Sequence, residues 1–172
     1  MTSLPAFGQL GLGVKLGAPL TDALKVTSPN FQAASGNWLV GPYVELNLPV
    51  GLAIEADLLY QNHNYILNTM NTQSTSAGSW QVPILLKKKG SFPFIKPYAE
   101  VGASFTRFSD IKFSTLTNRS NYGVVIGGGL EISALLIKIS PEIRYTRWGK
   151  SAFGQGYNFQ QNQLAFLIGV GF

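Results

Sequence analysis

Along most of this chain, apolar residues alternate with polar or small ones at a period of two. Six of its eight carboxylates, Glu45, Glu55, Asp57, Glu100, Glu131 and Glu142, fall on one side of that alternation. In Leu52-Ala-Ile-Glu-Ala-Asp-Leu58, the residues Leu52, Ile54, Ala56 and Leu58 point one way and Ala53, Glu55 and Asp57 the other, because successive side chains of a strand leave opposite faces. No segment shows helical periodicity over a useful length. A sheet with acids on one face and aliphatic residues on the other suggests a closed barrel, charged inside and in contact with lipid outside.

Turn residues divide the chain into eight strand-like segments, approximately Phe7–Gly17, Trp38–Leu48, Leu52–Tyr65, Ser79–Lys88, Lys96–Phe108, Tyr122–Ile132, Ile137–Trp148 and Gln161–Phe172. Most of them reach the roughly 9 to 11 residues that a tilted strand needs to cross a bilayer, against a usual strand length of about 5 to 6. The connections alternate. Long polar stretches such as Asn68-Thr-Met-Asn-Thr-Gln-Ser-Thr-Ser-Ala-Gly78 follow the odd segments. Short ones, namely Pro49-Val-Gly51, Gly90-Ser-Phe-Pro-Phe-Ile95 and the turn around Ser133 and Ala134, follow the even ones. An up-and-down barrel sends all odd connections to one rim and all even ones to the other. The expected fold is therefore all-β, an eight-stranded antiparallel up-and-down transmembrane β-barrel, with residues 1–172 as a single domain and both termini at the short-turn rim.

Composition agrees. The chain is 45% hydrophobic but only 12% charged, against about 25% charged in a typical soluble domain. No run approaches the roughly 20 apolar residues of a transmembrane helix; the best stretch, Leu130–Ile139, is interrupted by Glu131 and Lys138. Cysteine is absent and His63 is the single histidine, which rules out disulfides, thiolate metal sites and multi-histidine metal sites. The net charge of +5 is spread along the chain rather than gathered on one face, which argues against nucleic acid as a partner.

Alternation alone leaves the burial of the two faces open, because a soluble lipocalin-like carrier of small ligands shows the same period with an apolar lumen. Residue size favours the membrane. The acid-bearing face also carries Gly11, Gly13, Gly127, Gly129, Gly169 and Gly171, while the other carries Leu10, Leu12, Val14, Val44, Ile54, Leu58, Val124, Ile126 and Leu130; small residues relieve crowding inside a narrow barrel. Acids in such a lumen need partners, since an unpaired buried charge is costly. Lys15, Lys87, Lys138 and Arg144 share their parity. A lumen charge network of these ten residues is expected to plug the barrel.

All three tryptophans fall near the long-connection rim. Trp38, Tyr65, Trp80, Tyr122, Tyr145 and Trp148 are expected to form a membrane-interface girdle, although strict parity sets Trp148 on the inner face. The same rim gathers Lys25, Arg107, Lys112, Arg119, Arg147 and Lys150 against Asp22 and Asp110, a cationic excess suited to lipopolysaccharide phosphates. Lys87-Lys-Lys89 reads as the charged end of a span at the opposite rim.

Gly13-Val-Lys-Leu-Gly-Ala-Pro-Leu-Thr-Asp22, Val40-Gly-Pro-Tyr-Val-Glu-Leu-Asn-Leu-Pro49 and Ser140-Pro-Glu-Ile-Arg-Tyr-Thr-Arg-Trp148 resemble stretches of the outer membrane protein β-barrel domain family. This family contains small eight-stranded bacterial barrels of OmpA and OmpX type. The C-terminal Gln163-Leu-Ala-Phe-Leu-Ile-Gly-Val-Gly-Phe172 resembles the family's assembly signal, carried by Leu164, Phe166, Ile168, Val170 and the terminal aromatic Phe172. The resemblance implies residence in the bacterial outer membrane, with lipid and the barrel-assembly machinery as partners. The first residues lack the basic and apolar regions of a secretory leader, so a removed leader is expected. A monomer without cofactor is expected.

No motif points to an enzyme. Gly149-Lys150-Ser151 lacks the earlier glycine and following helix of a phosphate-binding loop, and Gly127-Gly-Gly129 fits an inward-facing strand better than a nucleotide site. His63 with Ser104 or Ser109 is the sole conceivable hydrolytic pairing, and no serine elbow supports it.

Overall fold

The computed structural model describes residues 10–21, 38–67, 73–108, 120–134, 137–149 and 162–172. Its strands are β1 (Leu10–Pro19), β2 (Trp38–Leu48), β3 (Leu52–Asp57), β4 (Leu59–Leu67), β5 (Gln73–Lys89), β6 (Ile95–Phe108), β7 (Ser120–Ala134), β8 (Ile137–Trp148) and β9 (Asn162–Gly171). Each pairs antiparallel with the next in the chain, except that β3 and β4 both pair with β2 and β5 and not with each other, and β1 closes onto β9 from Gly13↔Gly171 to Pro19↔Ala165.

β3 and β4 are two halves of one stave. Their pairing with β2 continues in one register from Tyr43↔Asp57 to Val40↔Tyr60, and their pairing with β5 from Ala56↔Ile84 to Leu59↔Gln81. The break at Leu58 has a covalent cause. Leu58 donates its N–H to the Pro42 carbonyl at 2.9 Å, but Pro42 has no N–H to return the bond. On the other side the register sets Asp57 opposite Pro83, a second imino acid without a donor. The barrel therefore has eight staves, as the sequence pattern implies.

The boundary that differs most from expectation is the start of β5. The polar run through Gln73–Gly78 is not loop: it belongs to β5 and pairs residue for residue with Asn62–Leu67 of β4. Sequence reading misses it because a hairpin standing past the lipid needs no apolar face, so its strands lose the alternation that betrays the others. The short turns lie at the opposite end. At Pro49–Gly51, Val50 has φ 60° and Gly51 φ 73°; the first is an unusual left-handed conformation for a β-branched residue.

The two faces separate cleanly. Leu12, Val14, Leu16, Ile54, Ile84, Leu86, Val101, Val124, Ile126, Ile143, Ile168 and Val170 are exposed on the outside, whereas Lys15, Glu55, Asp57, Lys87, Glu100, Glu142 and Arg144 are buried inside. A soluble carrier calls for the reverse arrangement.

Candidate functional site

The inward residues of neighbouring staves meet in the lumen because the barrel is only eight staves round, a width that side chains can fill. At the centre, Lys15 Nζ lies 2.6 Å from Glu55 Oε1 and 3.0 Å from Glu142 Oε1, and Lys87 Nζ lies 2.5 Å from Glu55 Oε2. Arg144 spreads its guanidinium over three acids, with Nε to Glu100 at 3.0 Å, Nη1 to Asp57 at 2.7 Å and Nη2 to Glu142 at 2.7 Å. That fork suits carboxylates in a way a lysine ammonium does not. Tyr98 donates its hydroxyl to Glu142 at 2.7 Å, and its ring lies 4.5 Å beneath the Lys87 ammonium. Lys15 likewise sits 5.2 Å from the Tyr43 ring centroid.

Toward the short turns, Lys89 bridges Glu45 and Glu131, each at 2.5 Å, and reaches Asn47 at 3.1 Å. Sequence reading assigned Lys89 to a charged rim. The structure corrects this: Lys89 shares the inward parity of Lys87 and is buried, while Lys88 between them points out and donates to the Val50 carbonyl at 2.6 Å. Conversely, Lys138 lies on the inner face near Glu131 but has no ion pair within 4.0 Å among the described residues; Glu131 pairs instead with Lys89 and, at 3.8 Å, with Lys96.

Toward the long loops the lumen changes character. Leu39, Leu59, Ala165 and Leu167 form a buried apolar cluster, and Val125 lines a small void beside it; Leu85 is buried on the inner face as well. Beyond it lies an amide chain: Trp148 Nε1 donates to Gln163 Oε1 at 3.0 Å, Gln163 Nε2 donates to Gln61 Oε1 at 3.2 Å, and Gln81 Nε2 donates to the same Gln61 oxygen. Trp148 is thus not part of the girdle, because its ring is 5% exposed and faces the lumen. Both apolar layer and amide chain follow the parity of the acids, so the signal was present in the alternation.

One void of about 10 Å³ lies among Lys15, Glu45, Lys87 and Glu131, and another of about 10 Å³ among Leu59, Ser104, Arg144 and Leu167, each the size of a single water. Ser104 Oγ, Asp57 Oδ1 and Glu100 Oε2 lack a hydrogen-bond partner among the described residues. Oxygens of Glu55, Glu100 and Glu142 gather within 4.8 Å of one another, but Lys15, Lys87 and Arg144 already supply the countercharge there.

A hydrolytic pairing of His63 with Ser104 finds no support in the register. His63 is opposite Ala77 and Ser104 opposite Pro83, and six residues of β5 separate those positions by roughly 20 Å. Ser109, like Lys25, Lys112, Arg119, Lys150, Asp22 and Asp110, lies outside the described residues, and so do the side chains of His63 and Tyr65.

On the outer face, Trp38, Tyr60 and Trp80 pack side by side, with centroids 5.8 and 5.2 Å apart. Tyr122 is exposed, and Tyr145 donates its hydroxyl to Asn162 at 2.8 Å. Phe166, Ile168, Val170 and Phe172 face outward on the last stave, and Leu164 shares their parity.

A closed antiparallel barrel with an aliphatic outside and an ionic lumen defines a transmembrane barrel of the outer-membrane type. The chain belongs to the outer membrane protein β-barrel domain family, whose model matches residues 5–149. Its fold is similar to that of the outer membrane protein OprG from Pseudomonas aeruginosa (TM-score 0.60, 13% identity, 97% of this chain and 96% of that one). It is also similar to the N-terminal β-barrel domain of OprF from the same organism (0.56, 12%, 95% and 97%) and to Ail, the attachment invasion locus protein of Yersinia pestis (0.53, 9%, 98% and 98%). No curated protein matches the sequence.

Proposed function

We propose that this chain is a non-enzymatic outer-membrane barrel whose lumen is plugged by its own side chains, and that it serves a structural or surface-interaction role through its long loops. The observation that carries this reading is the ionic cluster of Lys15, Lys87 and Arg144 with Glu55, Asp57, Glu100 and Glu142, which draws on β1, β3, β5, β6 and β8. A pore-forming barrel keeps its walls charged and its axis wet; here each of the three cations is paired with acids from other staves. Buried pairs of this kind add little net stability over an apolar core, so their value lies in fixing how the staves close while keeping ions out.

Leu164, Phe166, Ile168, Val170 and Phe172 present one continuous apolar edge for the barrel-assembly machinery to read. The partners this reading implies are outer-membrane lipid and, on the cationic long-loop side, lipopolysaccharide. The barrel works as a monomer, without cofactor.

Liposome swelling tests the reading. Vesicles loaded with the refolded barrel are expected to admit arabinose no faster than empty ones, and sugar entry that scales with protein content would overturn the plugged lumen.

A further inference from the structure

The lipid-facing side of the barrel carries three charged side chains among the described residues: Lys88, Arg107 and Arg147. Lys88 is accounted for by its bond to the Val50 carbonyl at the short-turn rim. Arg107 and Arg147 are exposed at the long-loop ends of β6 and β8, and no ion pair or hydrogen bond holds them among the described residues. A cation facing lipid is costly at mid-bilayer and nearly free of penalty near the interface, so both belong at headgroup level. The aromatic rings agree. Trp80 stands directly opposite Arg107 in the ladder and continues through Tyr60 to Trp38.

The spacing of the two arginines is informative. Arg107 pairs with Ser120 and Arg147 with Val124, so four residues of β7 and two inter-strand steps set their Cα atoms about 16 Å apart. The exposed ring of Tyr122 lies between them on β7. Two long guanidinium arms flanking an aromatic surface can each take one phosphate in bidentate fashion, while acyl chains lie on the adjacent Phe105, Val124 and Ile126, all exposed.

We propose that the outer face of β6, β7 and β8 binds a lipid anchor carrying two phosphates, the diphosphorylated lipid A of lipopolysaccharide, with Arg107 and Arg147 each holding one phosphate. The proposal rests on the outer-membrane reading of the barrel. Among the described residues the outward cations of this rim lie on one side, which gives the barrel a fixed lipid-binding face in the outer leaflet.

Native mass spectrometry of the barrel in micelles, titrated with diphosphoryl lipid A, monophosphoryl lipid A and phosphatidylglycerol, tests it. The unmodified chain is expected to prefer the diphosphoryl form. Arg107→Gln and Arg147→Gln are each expected to weaken that binding about tenfold, and Lys88→Gln to leave it unchanged. Retained affinity in the Arg107→Gln/Arg147→Gln double variant, an equal loss in Lys88→Gln, or phosphatidylglycerol binding as tightly as diphosphoryl lipid A would each overturn the site. Heat-modifiable migration of the same samples keeps the two readings apart. A barrel that folds in detergent yet ignores lipid A defeats the site alone, whereas a chain soluble and folded without detergent defeats the membrane reading beneath it.

Discussion

Arg144 and Asp57 occupy β8 and β3, which lie diametrically opposite each other among the eight staves, yet Arg144 Nη1 and Asp57 Oδ2 are 2.7 Å apart. Their side chains span the lumen between them. Shorter ties reinforce the crossing: Lys15 connects β1 to β3 and β8, and Lys87 connects β5 to β3. Backbone ladders hold each stave to its neighbours, and Lys87 adds a tie between the paired β5 and β3; Arg144 and Lys15 hold staves that share no ladder.

The cluster is expected to respond steeply to loss of one cation. Arg144→Met leaves Asp57, Glu100 and Glu142 short of their shared partner and is expected to destabilise the barrel by about 3–5 kcal/mol in urea unfolding from micelles. Adding Asp57→Asn should recover part of that loss, because the two residues are coupled. Strictly additive effects in the double variant would show that the contact carries no coupling energy.

Gly127 marks where the lumen has no spare room. A Cβ there would stand 2.7 Å from Glu100 Oε1 and 2.8 Å from the Ile143 carbonyl, so Gly127→Ala must push Glu100 off Arg144. The expected cost is about 1–3 kcal/mol. Gly128, the next residue along, faces outward and has one neighbour within reach, the Tyr98 carbonyl at 3.1 Å, so Gly128→Ala is expected to cost less. Equal effects at the two glycines, measured by the same unfolding assay, would show that inner crowding is not the cause.

The three tryptophans should divide two against one. Trp38 and Trp80 are 43% and 40% exposed on the lipid side, and Trp148 is 5% exposed in the lumen. In single-tryptophan variants reconstituted with brominated lipid, emission from Trp38 and Trp80 is expected to be quenched and that from Trp148 spared. Strong quenching of Trp148 would turn β8 inside out relative to the structure.

How much of this was legible in the sequence follows from the physics of each part. Strict alternation exposed the staves, the inner face and nine of the ten expected network residues, since a one-residue slip would send Glu55 or Arg144 into lipid. The same parity includes Lys89 and Leu167, but the run Lys87-Lys-Lys89 reads as a charged rim, and a face bearing acids does not by itself suggest a layer of leucines among them. The pairing of Gln73–Gly78 with β4 left no trace because strands beyond the membrane have no face to bury. Lys138 shows the limit of parity: it sets the side of the sheet, whereas reach along the barrel decides the partner, and Lys89 reaches Glu131 first. Trp148 shows the opposite case, where residue type suggested the girdle and parity correctly pointed inward.

Single-channel recording in planar bilayers bears most directly on the plugged lumen. The unmodified barrel is expected to show no stable conductance, because Arg144, Lys15 and Lys87 are fully engaged with acids across the axis and the voids beside them are each about 10 Å³. Arg144→Ala combined with Asp57→Ala, which removes the side chains that cross the full width, is expected to produce discrete openings. A large, stable, voltage-independent conductance from the unmodified barrel would contradict the central claim.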